Sequence, residues 1–295
     1  MKLTILTPTY NRGYILRRLY ESLISQTDKE FEWLIIDDGS NDNTEILVDE
    51  FIKCNEIKIR YIKQSNGGKH RALNTGISVI DSELTFIVDS DDYLLPYAVE
   101  EIFKIHKVYA SENSVCGYSF LRCFPDLSIN GPQFPESPYL SDYVSCRLND
   151  GVKGDKAEVY KTKILSQYPF LEIPGESFLF EDYVWIQMAE KYKTVHLNIP
   201  IYIGDYLNDG LTKNINEAKI KNPVGMFERA NIIGKSKAKW TVKFKAIIMF
   251  IVYGKIAKKT IQEMYINSFN KLFFLLFYIP SIVYLKLNVK RFGEE

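Results

Sequence analysis

The feature that most constrains the fold is a strict alternation of strand-like and helix-like segments over the first hundred residues. It begins with a short apolar run, Lys2–Pro8, followed by Ile15–Gln26, whose apolar residues recur at helical spacing. Further strands are predicted at Glu32–Asp37, Ile57–Lys63 and Leu84–Val88, and further helices at Thr44–Lys53, Ala72–Ile80 and from Pro96 to Tyr109. This alternation predicts an α/β fold, in which helices cover both faces of a mainly parallel sheet.

The rest of the chain is less regular. A strand is predicted at Val115–Phe124, a proline-rich loop at 124–143, a helix at Glu181–Tyr192 and extended chain at His196–Tyr206. Near residue 235 the composition becomes apolar and rich in lysine. We therefore predict two domains, an α/β domain over residues 1–215 and a helical region over residues 216–295.

Three acidic clusters lie where strands are predicted to end. Asp37-Asp38 follows the apolar run EWLII, Asp89-Ser90-Asp91-Asp92 follows LTFIV, and Glu181-Asp182 opens a helix after SFLF. Asp and Gly often do no more than form turns. The carboxyl ends of parallel strands, however, meet at one edge of the sheet, where anions crowd together. A divalent metal that carries a phosphorylated ligand would neutralise them, so three such clusters favour a binding site.

Several functional classes are disfavoured by what the sequence lacks. No GxGxxG follows the first strand and no GxxxxGK[ST] occurs, which disfavours dinucleotide oxidoreductases and P-loop NTPases. The 37 basic and 37 acidic residues balance, so a nucleic-acid partner is not expected. The four cysteines have no metal-binding spacing and are sparse, which together with the absence of a signal-peptide pattern predicts a cytoplasmic protein.

Five motifs in this order resemble the family 2 inverting glycosyltransferases, which have the Rossmann-like GT-A fold. They are TPTYNR (7–12), DDGSNDNT (37–44), NGGKHRALNTG (66–76), VDSDD (88–92) and ED (181–182). The resemblance covers residues 1–210 and implies a nucleotide-diphosphate sugar as donor, Mn²⁺ or Mg²⁺ as cofactor, and transfer with inversion. UDP is the favoured carrier and dTDP the alternative.

The resemblance also implies roles for individual residues. Pro8 and Tyr10 would wall the nucleobase, Asp38 or Asp37 would accept from a base N–H, and Asp91 would bind the metal. Leu73 occupies a position that is often Arg in the family, which weakens the transfer of that arginine's role. The predicted nucleotide-sugar-binding set is Thr7, Pro8, Tyr10, Arg12, Asp37, Asp38, Lys69, Arg71, Asp89 and Ser90.

Inversion requires a base that removes the proton of the acceptor hydroxyl. By position in the ED motif, Asp182 is the predicted base, with Glu181 as a supporting or alternative residue. The opposing interpretation is that both are acidic residues favoured in the first turn of a helix. Asp209–Thr212, a glycine-containing loop, is a candidate lid over the donor.

The C-terminal region combines positive charge with apolar runs. Residues 235–295 hold twelve Lys or Arg and three Glu, a net +9 that leaves −9 on the rest. The runs Ala246–Tyr253 and Leu272–Leu285 are shorter than the roughly 20 residues of a spanning helix. They are typical of a segment that lies in a membrane interface, and a buried helical subdomain is the alternative.

These observations predict a membrane-associated glycosyltransferase of cell-surface polysaccharide synthesis. It would act on a glycan or lipid-linked acceptor at the inner face of the cell membrane, where the basic region meets anionic lipid. Two alternatives stay open, a non-catalytic nucleotide-sugar-binding protein and a nucleotidyltransferase. The intact acidic set argues against the first, and the lack of an N-terminal glycine-rich phosphate loop argues against the second.

Overall fold

A computed structural model of the chain describes residues 2–204 and 215–288. Nine strands lie within these residues: β1 Leu3–Thr9, β2 Phe31–Asp37, β3 Lys58–Lys63, β4 Leu84–Ile87, β5 Tyr93–Leu94, β6 Val115–Cys123, β7 Tyr139–Ser141, β8 Lys156–Lys161 and β9 Lys193–Ile203. The α-helices of this part of the chain are α1 Leu16–Ile24, α2 Thr44–Cys54, α3 Lys69–Ser78, α4 Ala98–Tyr109, α5 Thr162–Leu165, α6 Asp182–Met188, α7 Ile215–Lys221, α8 Pro223–Lys235, α9 Trp240–Ile256, α10 Ile261–Asn267 and α11 Lys271–Leu287. A π-helical segment spans Val144–Asn149.

The nine described strands form one sheet in the order β3-β2-β1-β4-β8-β6-β9-β5, with β7 also paired to β9. Strands β3, β2, β1 and β4 are parallel, and β6 is parallel to β9. Strands β5, β7 and β8 run in the opposite direction. The predicted α/β fold with a mainly parallel sheet is therefore confirmed.

Continuous apolar runs explain the position of the central strands. Every residue of β1 and of β2 is buried, as expected for strands with helices on both faces. Helix α1 buries Leu16, Leu19 and Leu23, which recur at helical spacing. Tyr20 of α1 stacks on Phe51 of α2, with ring centroids 4.0 Å apart.

The chain divides into two compact units. We call them the sheet unit (Met1–Asp142, Val152–Pro169 and Lys191–Asp205) and the helical unit (Tyr143–Gly151, Phe170–Glu190 and Tyr206–Glu295). The predicted domain boundary at residue 215 stays a prediction, since a compact unit need not fold separately.

The helical unit has its own apolar core, built by α8, α9 and α11 with α10 beside them. Phe227 stacks on Phe250 at 4.2 Å between ring centroids, and Met264, Phe274 and Leu285 close the core. The predicted C-terminal helices are confirmed. No helix in residues 2–204 and 215–288 combines the length and the apolar character needed to cross a bilayer.

The observed elements depart from the predicted ones mainly after residue 150. Strand β8, Lys156–Lys161, was not predicted, because a segment with a lysine at each end does not have the apolar pattern of a buried strand. Lys156 is 7% exposed, and its ammonium donates to the carbonyl oxygens of Asn130 and Pro132. Helix α6 ends at Met188, four residues earlier than predicted, in a turn where the Glu190 N–H donates to the Gln187 carbonyl oxygen.

Candidate active site

The order of the strands places a crevice at the carboxyl ends of β1 and β4. The chain proceeds from β1 through β2 to β3 on one side of β1, whereas β4 pairs with its other side. Ligands of open α/β sheets bind at such a reversal of strand order. Arg12 follows β1 and Asp91 follows β4, and Arg12 Nη2 lies 3.6 Å from Asp91 Oδ2. Tyr10, in the same loop, is 46% exposed and available to a ligand.

The predicted residues within β1 lie below this edge. Thr7 is buried, and its hydroxyl accepts a hydrogen bond from Trp33 Nε1 at 2.9 Å. Pro8 is also buried and pairs in register with Ile36 of β2. Both residues support the loop that carries Tyr10 and Arg12.

That loop is tied to the loop after β2. The Asn11 N–H donates to Ser40 Oγ at 2.8 Å, and Asn11 Oδ1 accepts from the Asn41 N–H at 2.8 Å. The Gly13 N–H donates to Asp42 Oδ2 at 3.0 Å. Asn11 adopts a positive φ of 52°, a conformation that asparagine tolerates better than most residues. These bonds fix the two motifs that follow β1 and β2 against each other.

The two carboxylates after β2 are both engaged, in different ways. Asp37 is fully buried, and its oxygens accept from the Ser40 N–H at 2.7 Å and from the Tyr61 hydroxyl at 2.5 Å. Burial and the bond to Asp37 raise the pKa of Tyr61, so its hydroxyl stays a donor. Asp37 therefore shapes the turn below the surface.

Asp38 organises the glycine-rich loop before α3. Its Oδ1 accepts from Gln64 Nε2 at 2.7 Å and from the Gly67 N–H at 2.9 Å, and its Oδ2 accepts from the Gly68 N–H at 2.7 Å. Gly39 permits the close approach of the two loops. It has a φ of +83°, and a Cβ there would lie 2.9 Å from the Asn66 backbone nitrogen.

The basic cluster at the start of α3 separates into three environments. Lys69 Nζ lies 2.5 Å from Asp89 Oδ1, which joins the cluster to the DxD sequence. Arg71 Nη1 donates to the Gly67 carbonyl oxygen at 2.6 Å, so its guanidinium folds back over the glycine-rich loop. His70 is 3% exposed and faces the interior.

The DxD carboxylates differ in their electrostatic surroundings. Burial acts to raise the pKa of Asp89, but the charges of Lys69 and Arg122 outweigh burial and hold that pKa below its usual value. For Asp91, burial and the neighbouring charge of Asp89 raise the pKa, against the opposing charge of Arg12. Ser90 between them is buried. A cation that met both carboxylates would relieve their repulsion.

Two residues that no motif marked support this DxD sequence. Arg122, in β6, pairs with Asp92 and lies 3.8 Å from Asp89 Oδ2. Tyr202, in β9, accepts from the Asp89 N–H at 3.0 Å and donates to Asp92 Oδ2 at 2.7 Å. The Arg122 guanidinium stacks on the Tyr202 ring, 3.8 Å from its centroid. The one sequence signal was a lone arginine in the otherwise uncharged strand VCGYSFLRC.

The donor set at the strand ends suits a hard divalent cation. Asp89 and Asp91 supply carboxylate oxygens, and phosphate oxygens and water commonly complete the shell of Mg²⁺ or Mn²⁺. Among the described residues, no three His, Cys, Asp or Glu side chains are grouped to hold a metal unaided. The residues therefore fit a metal that arrives with a phosphorylated ligand.

The predicted base lies in the helical unit, where an arginine holds it. Asp182 opens α6, and its Oδ1 accepts from Arg229 Nε of α8 at 2.6 Å while its Oδ2 accepts from Arg229 Nη2. The guanidinium also lies over the Phe180 ring, 4.8 Å from its centroid. Glu181 is half-buried just before the helix. The structure thus brings together the predicted residues of the sheet unit, and places Asp182 and Glu181 in the other unit. Asp209–Thr212, the predicted lid, lies outside the described residues.

Comparison with known proteins identifies the family. The family model described as "Glycosyl transferase family 2" matches residues 4–166, more than half of the chain. The chain belongs to glycosyltransferase family 2. The matched residues of this family 2 glycosyltransferase include β1 to β4 and both acidic motifs of the sheet unit.

Several relatives of this glycosyltransferase match less than half of the chain. Glycosyltransferase GlyA of Streptococcus pneumoniae is 34% identical over 40% of the chain and 17% of its own length. The poly(ribitol-phosphate) β-N-acetylglucosaminyltransferase TarP of Staphylococcus aureus is 35% identical over 38% of the chain and 34% of its own length. The chain therefore spans about a third of TarP and less than a fifth of GlyA.

Two further matches extend over most of the chain. A Campylobacter jejuni protein named as a GalNAc(5)-diNAcBac-PP-undecaprenol β-1,3-glucosyltransferase is 26% identical over 79% of the chain and 74% of its own length. The crystal structure of S. aureus TarS 1–349 in complex with UDP aligns with a TM-score of 0.61 at 16% identity, over 98% of this chain and 92% of that one. At this identity the structural likeness establishes the fold, which is the predicted GT-A fold.

Proposed function

We propose that this family 2 glycosyltransferase transfers one sugar, with inversion, from a nucleoside diphosphate sugar to a cell-surface glycan or its lipid-linked precursor. One observation carries the proposal: Asp89 and Asp91, each beside a cationic side chain, stand where the strand order reverses between β1 and β4. Clustered carboxylates and cations at this edge suit a diphosphate and its metal better than they suit an uncharged ligand.

The donor would bind across the sheet unit. Asp91 would hold Mn²⁺ or Mg²⁺, which supplies Lewis-acid stabilisation of the leaving diphosphate when bound. Lys69 and Arg71, at the start of α3, would contact phosphate or sugar oxygens. Asp89 and Ser90 would contact the ribose or the water around the metal. TarS has been crystallised with UDP and with UDP-GlcNAc, which supports a uridine carrier over the thymidine alternative.

The nucleobase would stack on Tyr10, whose exposed ring lies in the loop after β1. Asp38 has the stronger claim to a base N–H. Asp37 is fully enclosed, whereas Asp38, although also buried at 4% exposed, lies beside the glycine-rich loop and uses three of the roughly four acceptor positions of a carboxylate. In this arrangement Asp38 has two roles, since it also holds the glycine-rich loop in place.

The base would be Asp182. The acceptor oxygen attacks the anomeric carbon, the bond from that carbon to the diphosphate breaks, and the hydroxyl proton passes to the carboxylate. Arg229 would hold the carboxylate in a fixed orientation until the acceptor arrives, with Glu181 as its neighbour or substitute. This assignment rests on the ED motif and on the charged pair within the helical unit.

The acceptor and the location belong to the same proposal. The C. jejuni relative is named for a saccharide on an undecaprenol diphosphate, and TarP is named for a wall polymer. We propose that the chain acts at the inner face of the cell membrane, with its basic C-terminal region against anionic lipid.

A donor panel tests the proposed activity. Purified protein is incubated with UDP-, dTDP- and GDP-sugars, with Mn²⁺, Mg²⁺ or EDTA, and release of the nucleoside diphosphate is measured without acceptor. We expect slow hydrolysis of one UDP-sugar that stops in EDTA and in the Asp91→Asn variant. Failure to bind or hydrolyse any nucleotide sugar would refute the proposal.

A further inference from the structure

One face of α11 carries an exposed apolar stripe. Five aliphatic residues recur every three or four positions and so lie on one side of the helix. We call them the α11 stripe: Leu272 (62% exposed), Leu276 (60%), Ile279 (73%), Val283 (49%) and Leu287 (79%). The opposite side of α11 is buried in the core of the helical unit through Phe274, Ser281 and Leu285. The helix is therefore apolar on both sides.

An apolar helix face normally faces a core, a partner or lipid. No charged residue lies between Lys271 and Lys286. The stripe therefore has no charged side chain along its length that would favour contact with water. Of the nineteen large hydrophobic side chains exposed among the described residues, eleven lie between Trp240 and Leu287. This concentration distinguishes the stripe from the single exposed apolar residues that are normal on a protein surface.

Aromatic and basic side chains border the stripe. Trp240, at the start of α9, is 59% exposed and packs edge-on against Phe273 of α11, with ring centroids 5.4 Å apart. Lys243 Nζ lies 5.3 Å from the Trp240 ring centroid. Lys271 Nζ lies 5.1 Å from the Tyr265 ring centroid. Tryptophan and tyrosine with adjacent lysines are typical of surfaces at the boundary between hydrocarbon and water.

The charge around the stripe is of one sign. Residues 235–288 contain ten lysines and one acidic residue, Glu263. Glu263 is occupied locally, because it forms a capping box with Thr260 at the start of α10. A second copy of the chain would bring a second set of lysines to the same place and be repelled. Anionic lipid would be attracted instead, at about 1 kcal/mol for each lysine near the surface.

We infer that the α11 stripe is inserted in the interface of an anionic bilayer, with Trp240 at its edge and the lysines at the level of the headgroups. Helix α11 has 17 residues, about 25 Å at 1.5 Å per residue, and therefore lies along the surface. The inference deepens the proposed location by naming the surface and its partner, and it holds whether or not the chain transfers a sugar.

Tryptophan fluorescence tests it on the unmodified chain. Of the three tryptophans, Trp33 and Trp185 are buried and Trp240 is exposed, so a shift in emission reports Trp240. We expect a blue shift when vesicles of phosphatidylcholine with about one third phosphatidylglycerol are added, a weaker one with pure phosphatidylcholine, and none in Trp240→Phe. A spectrum that no vesicle alters would overturn the inference.

Matched variants locate the contact. Leu276→Glu with Ile279→Glu places two charges in the stripe, whereas Ile46→Glu with Val108→Glu places them at equally exposed positions of the sheet unit. In vesicle flotation we expect at least tenfold weaker binding for the first pair and no change for the second. Equal binding by both pairs would overturn the inference. The inference would also be overturned if light scattering showed a dimer that is lost only in the stripe variant, while that variant still bound vesicles. Nucleotide-sugar hydrolysis is measured in the stripe variant as well. This measurement distinguishes a failure of the membrane inference from a failure of the proposed transferase activity.

Discussion

The bidentate pair between Asp182 and Arg229 gives a prediction in which stability and activity separate. Three variants are needed: Asp182→Leu, Arg229→Met, and the double variant. Each single change leaves one charged group without its partner inside the helical unit. The double change removes both charges and replaces them by apolar side chains of similar volume.

The structure sets the magnitudes. The side chain of Asp182 is 13% exposed and that of Arg229 is 28% exposed, so water compensates little for a lost partner. Breaking a buried pair costs about 3–5 kcal/mol, and the partial exposure of Arg229 favours about 3 kcal/mol for each single variant. Replacing both partners by apolar residues is often near neutral, so the double variant should lose about 1 kcal/mol or less.

Urea denaturation gives the free energy of unfolding of each variant. Activity is measured as turnover of the nucleotide sugar that the wild-type protein uses. If Asp182 is the base, turnover at saturating donor should fall about 10²–10⁴-fold in Asp182→Leu and stay low in the stabilised double variant. Donor affinity should hardly change. Glu181→Gln serves as the neighbouring control and should retain most turnover. If the double variant lost as much stability as the two single variants together, the interaction between Asp182 and Arg229 would be refuted. Recovery of turnover in the double variant would refute Asp182 as the base.

Three further changes test the sheet unit. Asp38→Asn should cost about 1–3 kcal/mol and raise the donor KM at least tenfold, because an amide cannot accept all three loop hydrogen bonds; an unchanged KM would remove the loop from donor binding. Tyr202→Phe deletes the hydroxyl that accepts from the Asp89 N–H, so we expect a raised donor KM with a smaller effect on kcat, and an unaltered KM would make Tyr202 merely structural. Gly39→Ala should destabilise the chain by about 1–2 kcal/mol in thermal denaturation, because it forces a Cβ to 2.9 Å from the Asn66 nitrogen at a positive φ; full stability would show that the two loops can move apart.

Local patterns were sufficient to predict the first half of the sheet. Strands β1 to β4 and helices α1, α2 and α4 begin and end within two residues of the predicted bounds, because each has its own hydrophobic period and turn residues. Helix α3 begins three residues earlier than predicted, at Lys69. Strand β8 has no such period, because the buried Lys156 interrupts its apolar pattern. Lys156 is stabilised inside the fold by the carbonyl groups of Asn130 and Pro132, some 25 residues away in sequence.

The supporting residues of the site were beyond sequence reasoning for a related reason. Arg122 meets Asp92 across 30 residues, and Tyr202 meets it across 110. Arg229 meets Asp182 across 47 residues. These partners are fixed by the pairing of β6 with β9 and by the packing of α6 on α8, which no short motif encodes. Motifs could predict the carboxylates at the strand ends and the neighbouring Arg12 and Lys69, but not the partners that the fold brings from distant elements.

Calorimetric titration of the chain with UDP, with and without Mn²⁺, tests the central claim most directly. If Asp91 holds a metal that bridges the diphosphate, Mn²⁺ should tighten UDP binding at least tenfold in the wild type and in the exposed control Asp81→Asn. It should have no effect in Asp91→Asn. An Asp91→Asn variant that binds UDP and Mn²⁺ as tightly as the wild type would contradict the assignment of the strand-end carboxylates as the donor site.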